Sequence, residues 1–348
     1  MALGWGTISI MLLLAFGEGL RQQLTINGRG MGQDIAILWG GQTTIPFKGM
    51  GKGRRISLQK EDVPYLKSRV EGLKYIGGEY HRWGVEVRNG DTVVSEHING
   101  IEPNYEFMRS HIAQAGGHMI NDLDIQNKRR VAFLGNSLKE RLFGDADPVG
   151  KQILLNGMPF TVVGVEIDKM QMNSYSGMDQ DKCSIPATTF EAVFGDRWLD
   201  NIVYQPENVE EMKTVEKAIY EAMGAKYKFD PTDERALSIW DVAESSRQFN
   251  NVLVGAKIFL GIIGGLTLLI AGVGVANIMY VSIKERTREI GIKMAVGARR
   301  SYILAQFLIE ALIITFFGGF GGMAISYIMT EALDRKSTRL NSSHESPS

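Results

Sequence analysis

Residues 258–283 (IFLGIIGGLTLLIAGVGVANIMYVSI) run for 26 positions between Lys257 and Lys284 without one charge. About 20 apolar residues in helical form cross the hydrocarbon core of a bilayer. A buried helix in a soluble protein rarely stays apolar on every face for that length. The run therefore predicts a transmembrane helix. A second stretch, residues 301–330, is interrupted only by Glu310, and 311–330 alone supplies 20 uncharged positions. Glu310 then falls at the membrane boundary and reads as an interfacial carboxylate near Arg299 and Arg300. In mid-bilayer it would cost about 3 kcal/mol. A third stretch, residues 1–16 (MALGWGTISIMLLLAF), has no basic residue before Arg21 and no A-x-A site. It therefore predicts a transmembrane helix short of its first turns rather than a signal peptide.

These segments hide behind ordinary averages. Basic and acidic residues number 38 and 39, for a net charge of −1. That balance gives no case for nucleic-acid binding by a basic domain. One cysteine, Cys183, excludes an intramolecular disulfide framework and multi-cysteine metal sites. The loop at 284–301 (KERTREIGIKMAVGARRS) carries a net charge of +4. Short basic loops stay cytoplasmic, so the polar block after the first span is predicted to be extracytoplasmic.

The chain end has a separate explanation. Residues 334–344 (DRKSTRLNSSH) are the in-frame translation of a widely used sequencing-library adapter. Residues 334–348 are therefore expected to be read-through, and a fourth span and the native start to be missing from the sequence. The expected division is a clipped transmembrane helix (1–16), an extracytoplasmic domain with stalk helices (17–250), a transmembrane helix (251–283), a cytoplasmic coupling loop (284–302), a transmembrane helix (303–333) and the adapter-derived tail (334–348). Outside the tail and the basic loop, the net charge is −6.

The polar block mixes helix and strand signals, which predicts an α+β domain inserted between transmembrane helices. Strands are expected at 34–39 and 130–134, and a helical stripe at Val63, Leu66 and Val70. Asn89-Gly90 and Asn156-Gly157, each between apolar runs, predict two hairpins with both central residues at positive φ. Asn136 reads as the N-cap of a helix at 137–143 that Gly144 ends. Val215, Ile219 and Met223 mark an amphipathic helix at 209–223. Residues 241–250 read as a stalk running into the second span, because a helix leaves no backbone group unpaired at the interface. The strands are expected to be short, with no βαβ series of Rossmann length.

Catalytic motifs do not emerge. There is no H-E-x-x-H and no G-x-S-x-G, and His81, His97, His111 and His118 lack metal-ligand spacing, so each reads as an ordinary histidine. Asp122 and Asp124 lack the glycine that an EF-hand loop needs, since Asn127 stands there. Gly28, Gly30 and Gly32 do not follow a strand. Lys52 in GMGKG is not followed by Ser or Thr, so the segment reads as a mobile basic loop. The chain is accordingly predicted to be no enzyme, with no cofactor or metal of its own. Met170, Met172 and Met178 read as an ordinary loop.

Two patterns suggest a purpose. Small residues recur four apart at Gly261 and Gly265, Gly272 and Ala276, and Gly318 and Gly322, spacing that lets helices approach closely in lipid. In the basic loop, Glu285, Arg286, Arg288, Glu289 and Lys293 interleave with Ile290, Ile292 and Met294, as in a short helix at a membrane surface.

Here the residues resemble a known family. Residues 285–298 (ERTREIGIKMAVGA), followed by QFLIEA at 306–311 and a Gly-Gly span, resemble the signature loop of the MacB/FtsX-like ABC transporter permeases. AFGEGL at 15–20 resembles the end of that family's first span, and residues 142–165 resemble its extracytoplasmic domain. The resemblance implies a four-span permease, of which three spans are present. It also implies a permease dimer, homo- or heteromeric, with each copy seated on an ABC ATPase subunit that holds ATP and magnesium, and a periplasmic adaptor as a further partner. The coupling loop would be Glu285, Arg286, Thr287, Arg288, Glu289, Ile290, Gly291, Lys293 and Gly297. The implied task is efflux or mechanotransmission in the cell membrane. The alternative is a membrane-anchored extracytoplasmic ligand-binding or sensor protein.

Overall fold

The computed structural model describes residues 31–344 except 33, 170, 172 and 173, together with positions 8, 11, 12, 17 and 19. Apart from those isolated positions, the expected first span (1–16) lies outside the described residues, as do Gly28, Gly30, Met170 and Met172. The chain divides into two compact units, 24–248 and a second made of 1–23 with 249–348.

In chain order the first unit contains β1 (Ala36–Gly40), α1 (Asp62–Arg69), β2 (Leu73–Asn89), β3 (Thr92–Ile101), α2 (Tyr105–Arg109), α3 (Asp122–Gln126), β4 (Val131–Leu134), α4 (Asn136–Phe143), β5 (Gln152–Leu155), β6 (Met158–Val165), β7 (Lys182–Pro186), α5 (Ala187–Phe194), β8 (Asn201–Pro206), α6 (Met212–Tyr227) and β9 (Leu237–Asp241). β2 is 17 residues long. Its first half pairs antiparallel with β8, which continues through β1 to β9. Its second half pairs with β3 and β5. From β3 the pairings run to β7, β4, β6, β5 and back to β2, closing a ring. The expectation of short strands fails at β2. Gly77, Gly78 and Gly84 break the apolar alternation that would have marked it, yet tertiary packing needs two of them. A Cβ at Gly78 would stand 2.6 Å from Leu199, and Gly84 takes φ +72° at a register shift between Arg82 and Val85.

Period-2 alternation decides what each strand buries. In β1, Ala36 and Leu38 face one apolar cluster while Ile37 faces another with Val203 and Met108. The stripe Val215, Ile219 and Met223 on α6 joins the first cluster, as its spacing predicts. Val87, Ile98, Leu134, Leu155, Val162, Cys183 and Ile185, from all six strands of the ring, join it as well. Burial pushes the Cys183 thiol pKa up, so the thiol packs as a small apolar group.

Two turn readings shift by one residue. Asn156 and Gly157 both take positive φ, as expected. In the β2–β3 hairpin, however, Asn89 pairs with Thr92 and the turn is Gly90-Asp91. Asn89 is held in the strand because its Nδ2 donates to the Leu142 carbonyl at 2.8 Å. Likewise Gly135, not Asn136, caps α4. A Cβ at Gly135 would lie 2.3 Å from the Gln180 carbonyl oxygen and 2.4 Å from that of Asp179, and Asn136 Oδ1 instead accepts from Gln114.

The second unit contains α7 (Val242–Glu285), whose first residues belong to the first unit, α8 (Thr287–Ala295) and α9 (Arg300–His344). Asn251–Glu285 and Arg300–Ile328 are long and apolar enough to cross a membrane. Both expose isoleucine, leucine and phenylalanine along their lengths, as lipid-facing helices do.

Since backbone atoms crowd Gly135, Gly135→Ala forces a shift of the α4 entry. It is expected to destabilise the outer domain by about 1–3 kcal/mol, measurable as a lower midpoint in tryptophan-detected unfolding.

Candidate functional site

α8 carries the expected coupling residues. Glu285 ends α7, Arg286 links the helices, and Thr287, Arg288, Glu289, Ile290, Gly291 and Lys293 lie on α8. The Thr287 hydroxyl donates to the Lys284 carbonyl at 2.7 Å, tying the start of α8 to the end of α7. The other end closes on Gly297, at φ +101°. Gly297 N–H bonds the Met294 carbonyl at 3.1 Å and Ala298 N–H the Lys293 carbonyl at 3.0 Å. These are the paired bonds of a Schellman stop, which favours glycine. Ile292 and Val296 are 57% and 84% exposed, so α8 presents apolar side chains outward. Glu310 finds a cation on the preceding segment. Arg286 Nη1 lies 3.5 Å from Glu310 Oε2, and Lys293 Nζ lies 3.2 Å from Gln306 Oε1.

The small residues fall on two kinds of surface. Gly261, Gly265, Gly272 and Ala276 lie exposed along one side of α7, and a Cβ on any of the three glycines would meet no atom within 4 Å. Between residues 251 and 285 of α7 the buried positions are elsewhere, at Gly264 and Ala271. On α9, Gly322 is buried and Gly318 half-buried.

The outer domain holds an ion network that the sequence did not reveal. Arg109, at the end of α2, is fully buried, and its Nη2 donates to both Asp179 oxygens at 2.8 and 3.0 Å. Lys182 Nζ lies 2.9 Å and Lys169 Nζ 3.0 Å from Asp179, and Lys169 also reaches Glu166 at 2.7 Å. The Arg109 guanidinium rests over the Tyr175 ring at 4.7 Å. Tyr175 OH donates to Glu79, which also accepts from Asn201 at 2.6 Å. His81 follows, 2.8 Å from Asn201 Oδ1 and 3.1 Å from His97. Trp83, 62% exposed, stacks on His97 at 4.0 Å. Burial opposes ionisation of Asp179, but Arg109, Lys182 and His111 hold its pKa well below the usual range. Burial also lowers the His97 pKa to about 3, so that ring is neutral.

His111, Glu166 and Asp179 offer donor atoms within 4.8 Å of one another, a set of metal-ligand residue types. The charge balance argues against a metal there. Arg109, Lys169 and Lys182 already offset Glu79, Glu166 and Asp179, and a divalent cation would add two uncompensated charges in a buried site. The arrangement acts as a structural clasp between the 166–182 segment, α2 and β2. Sequence spacing could not show it, because its members lie up to 122 positions apart. His118 stands aside, its Nδ1 2.7 Å from the Met119 carbonyl.

Removing the hub leaves buried cations unpaired, so Asp179→Asn is expected to cost about 3–5 kcal/mol. The wild-type contribution is present above the unfolded carboxylate pKa and is lost as the pH falls towards the lowered folded value. The difference between the two proteins in thermal melts should therefore shrink in acid. At the other site, Gly297→Ala places a Cβ in a left-handed turn at a cost of about 1–2 kcal/mol, visible as faster hydrogen exchange at residues 293–298.

Comparison with known proteins follows the same division. Residues 1–222 match the family model of the MacB-like periplasmic core domain, and residues 261–346 match the FtsX-like permease C-terminal model. The macrolide export ATP-binding/permease protein MacB of Rhodospirillum rubrum is 31% identical over 324 residues, covering 92% of this chain and 48% of that protein. The pyoverdine export ATP-binding/permease protein PvdT of Pseudomonas fluorescens is 30% identical over 331 residues, covering 93% and 48%. An ABC transporter permease of Bacillus subtilis, YknZ, is 26% identical over 322 residues, covering 92% of this chain and 79% of its own length. The chain thus spans about half the length of the ATP-binding/permease relatives. The crystal structure of the periplasmic region of MacB from Actinobacillus actinomycetemcomitans shares the fold, with a TM-score of 0.51, 19% identity, and coverage of 66% of this chain and 99% of that one. With an α+β domain that matches one family model and apolar helices that match the other, in the family's order, this chain belongs to the MacB/FtsX-like ABC transporter permeases.

Proposed function

We propose that this chain is the membrane subunit of an ABC exporter, in which ATP hydrolysis on a separate subunit drives movement of the extracytoplasmic domain. The observation that carries the reading is α7. A single helix, Val242–Glu285, begins directly after β9 of the outer domain and ends at α8. A continuous helical backbone suits the passage of an axial displacement along the chain. ATP and magnesium belong to the partner subunit, and α8 is the surface it contacts, with Glu285, Arg286, Thr287, Arg288, Glu289, Ile290, Gly291, Lys293 and Gly297 as the coupling residues. The net charge of +4 on 284–301 supports a cytoplasmic position for that surface.

The open α7 face at Gly261, Gly265, Gly272 and Ala276 suits a second permease copy, since small residues allow close helix approach. A periplasmic adaptor would engage the outer domain. The relatives named for macrolide and pyoverdine export make export the class of task.

The test is coexpression of the full-length permease with the ATPase encoded beside it. Copurification in detergent and permease-dependent ATP hydrolysis are expected, and Arg288→Glu should reduce the stimulation. Absence of both association and ATP dependence would defeat the reading in favour of a membrane-anchored sensor.

A further inference from the structure

The segment expected as the coupling loop, 284–302, holds α8 and the first residues of α9. Glu310 interrupts the uncharged run 301–330, and 311–330 alone suffice to cross the hydrocarbon with Glu310 at its boundary. The first ten residues of α9, 300–309, therefore extend about 15 Å beyond the apolar layer, on the same side as α8. Arg286, which caps α8, and Ile290 and Lys293 on it follow at i, i+4 and i+7 and lie on one side. Ile303, Gln306 and Glu310 follow at i, i+3 and i+7 and share one face of α9. The two polar contacts join these faces in antiparallel order, Arg286 to Glu310 and Lys293 to Gln306. Between them Ile303 is buried and Ile290 half-buried. Gly297 closes the turn.

We propose that Glu310 and Gln306 are positioning residues that latch α8 to the first turns of α9. The unit offered to the ATP-hydrolysing partner is then a rigid helical hairpin, residues 286–310, rather than a mobile loop. The inference rests on the assignment of α8 as the ATPase-facing helix. An exposed ion pair in water contributes little, but Glu310 stands where the apolar stretch begins. There an unpaired carboxylate is unfavourable and Coulomb attraction is less screened. Arg286 is the cation that geometry gives it. Ile292, Met294 and Val296 are left pointing outward from the hairpin, available to an apolar surface of the partner.

Spin labels at Arg288→Cys and Tyr302→Cys in the full-length permease, held in nanodiscs, report the distance between α8 and α9. The native Cys183 is buried and does not compete for label. The latched hairpin gives one narrow distance. Glu310→Ala should lose it, and the exchange Arg286→Glu with Glu310→Arg should restore it. Arg286→Gln breaks the same pair from outside the span and serves if Glu310→Ala is not recovered. A narrow distance in the single variants, or no restoration in the exchange, overturns the latch. ATP hydrolysis stimulated by the same unlabelled variants should fall in the single variants and return in the exchange, and unchanged stimulation in the singles overturns the positioning role. If the distances behave as stated but no ATPase binds the wild-type permease, the latch stands and the proposed function fails.

Discussion

The outer domain depends on one strand shared by two sheets. β2 pairs with β8 along its first half and with β3 and β5 along its second, so the antiparallel sheet and the closed ring cannot form independently. A strand that leaves one partner and takes another must turn while keeping its backbone groups bonded. Gly77 and Gly78, next to that change of partners, let Met108 and Leu199 press against the bare backbone, and Gly84 supplies the positive φ at the register shift farther along the β3 pairing. Loss of side chains at these positions weakens β propensity, but close packing against neighbouring elements compensates.

The same strand anchors the ion network. Glu79 lies on β2 next to the point where its partners change, and it is linked through Tyr175 and Arg109 to Asp179 and the 166–182 segment. Such a network contributes little net stability over a well-packed apolar core, yet breaking it is costly. Its effect is to hold one arrangement of loops whose own backbones have few regular bonds. That role differs from metal binding, for which the donor types alone would argue.

The membrane unit follows a different economy. Its long helices satisfy their own backbone groups, and most of their apolar side chains point outward. The short helix α8 is held by contacts at both of its ends. Thr287, the Gly297 turn and the pairs from Arg286 and Lys293 to α9 give the short helix α8 a defined pose that helix propensity alone would not supply at nine residues.

Much of this was legible in the residues themselves. Uncharged runs longer than a bilayer is thick mark membrane helices regardless of context, and the stripe on α6 and the Asn156-Gly157 hairpin are local patterns with one low-energy reading. The position of Gly297 was legible within a signature, although only the Schellman bonds explain it. Other features needed tertiary structure. Asn89 and Asn136 each lost the role their type predicts because a distant group, the Leu142 carbonyl or Gln114, captured the side chain. β2 lacked alternation because its glycines answer to packing, not to a solvated face. The clasp around Asp179 and the partner of Glu310 join residues far apart in sequence, where spacing carries no information. Sequence by itself determined the elements whose stability is local, namely membrane helices, turns and amphipathic stripes. Only the tertiary structure decided the pairings among buried charges and between helices, because those depend on which distant groups the fold brings within bonding distance.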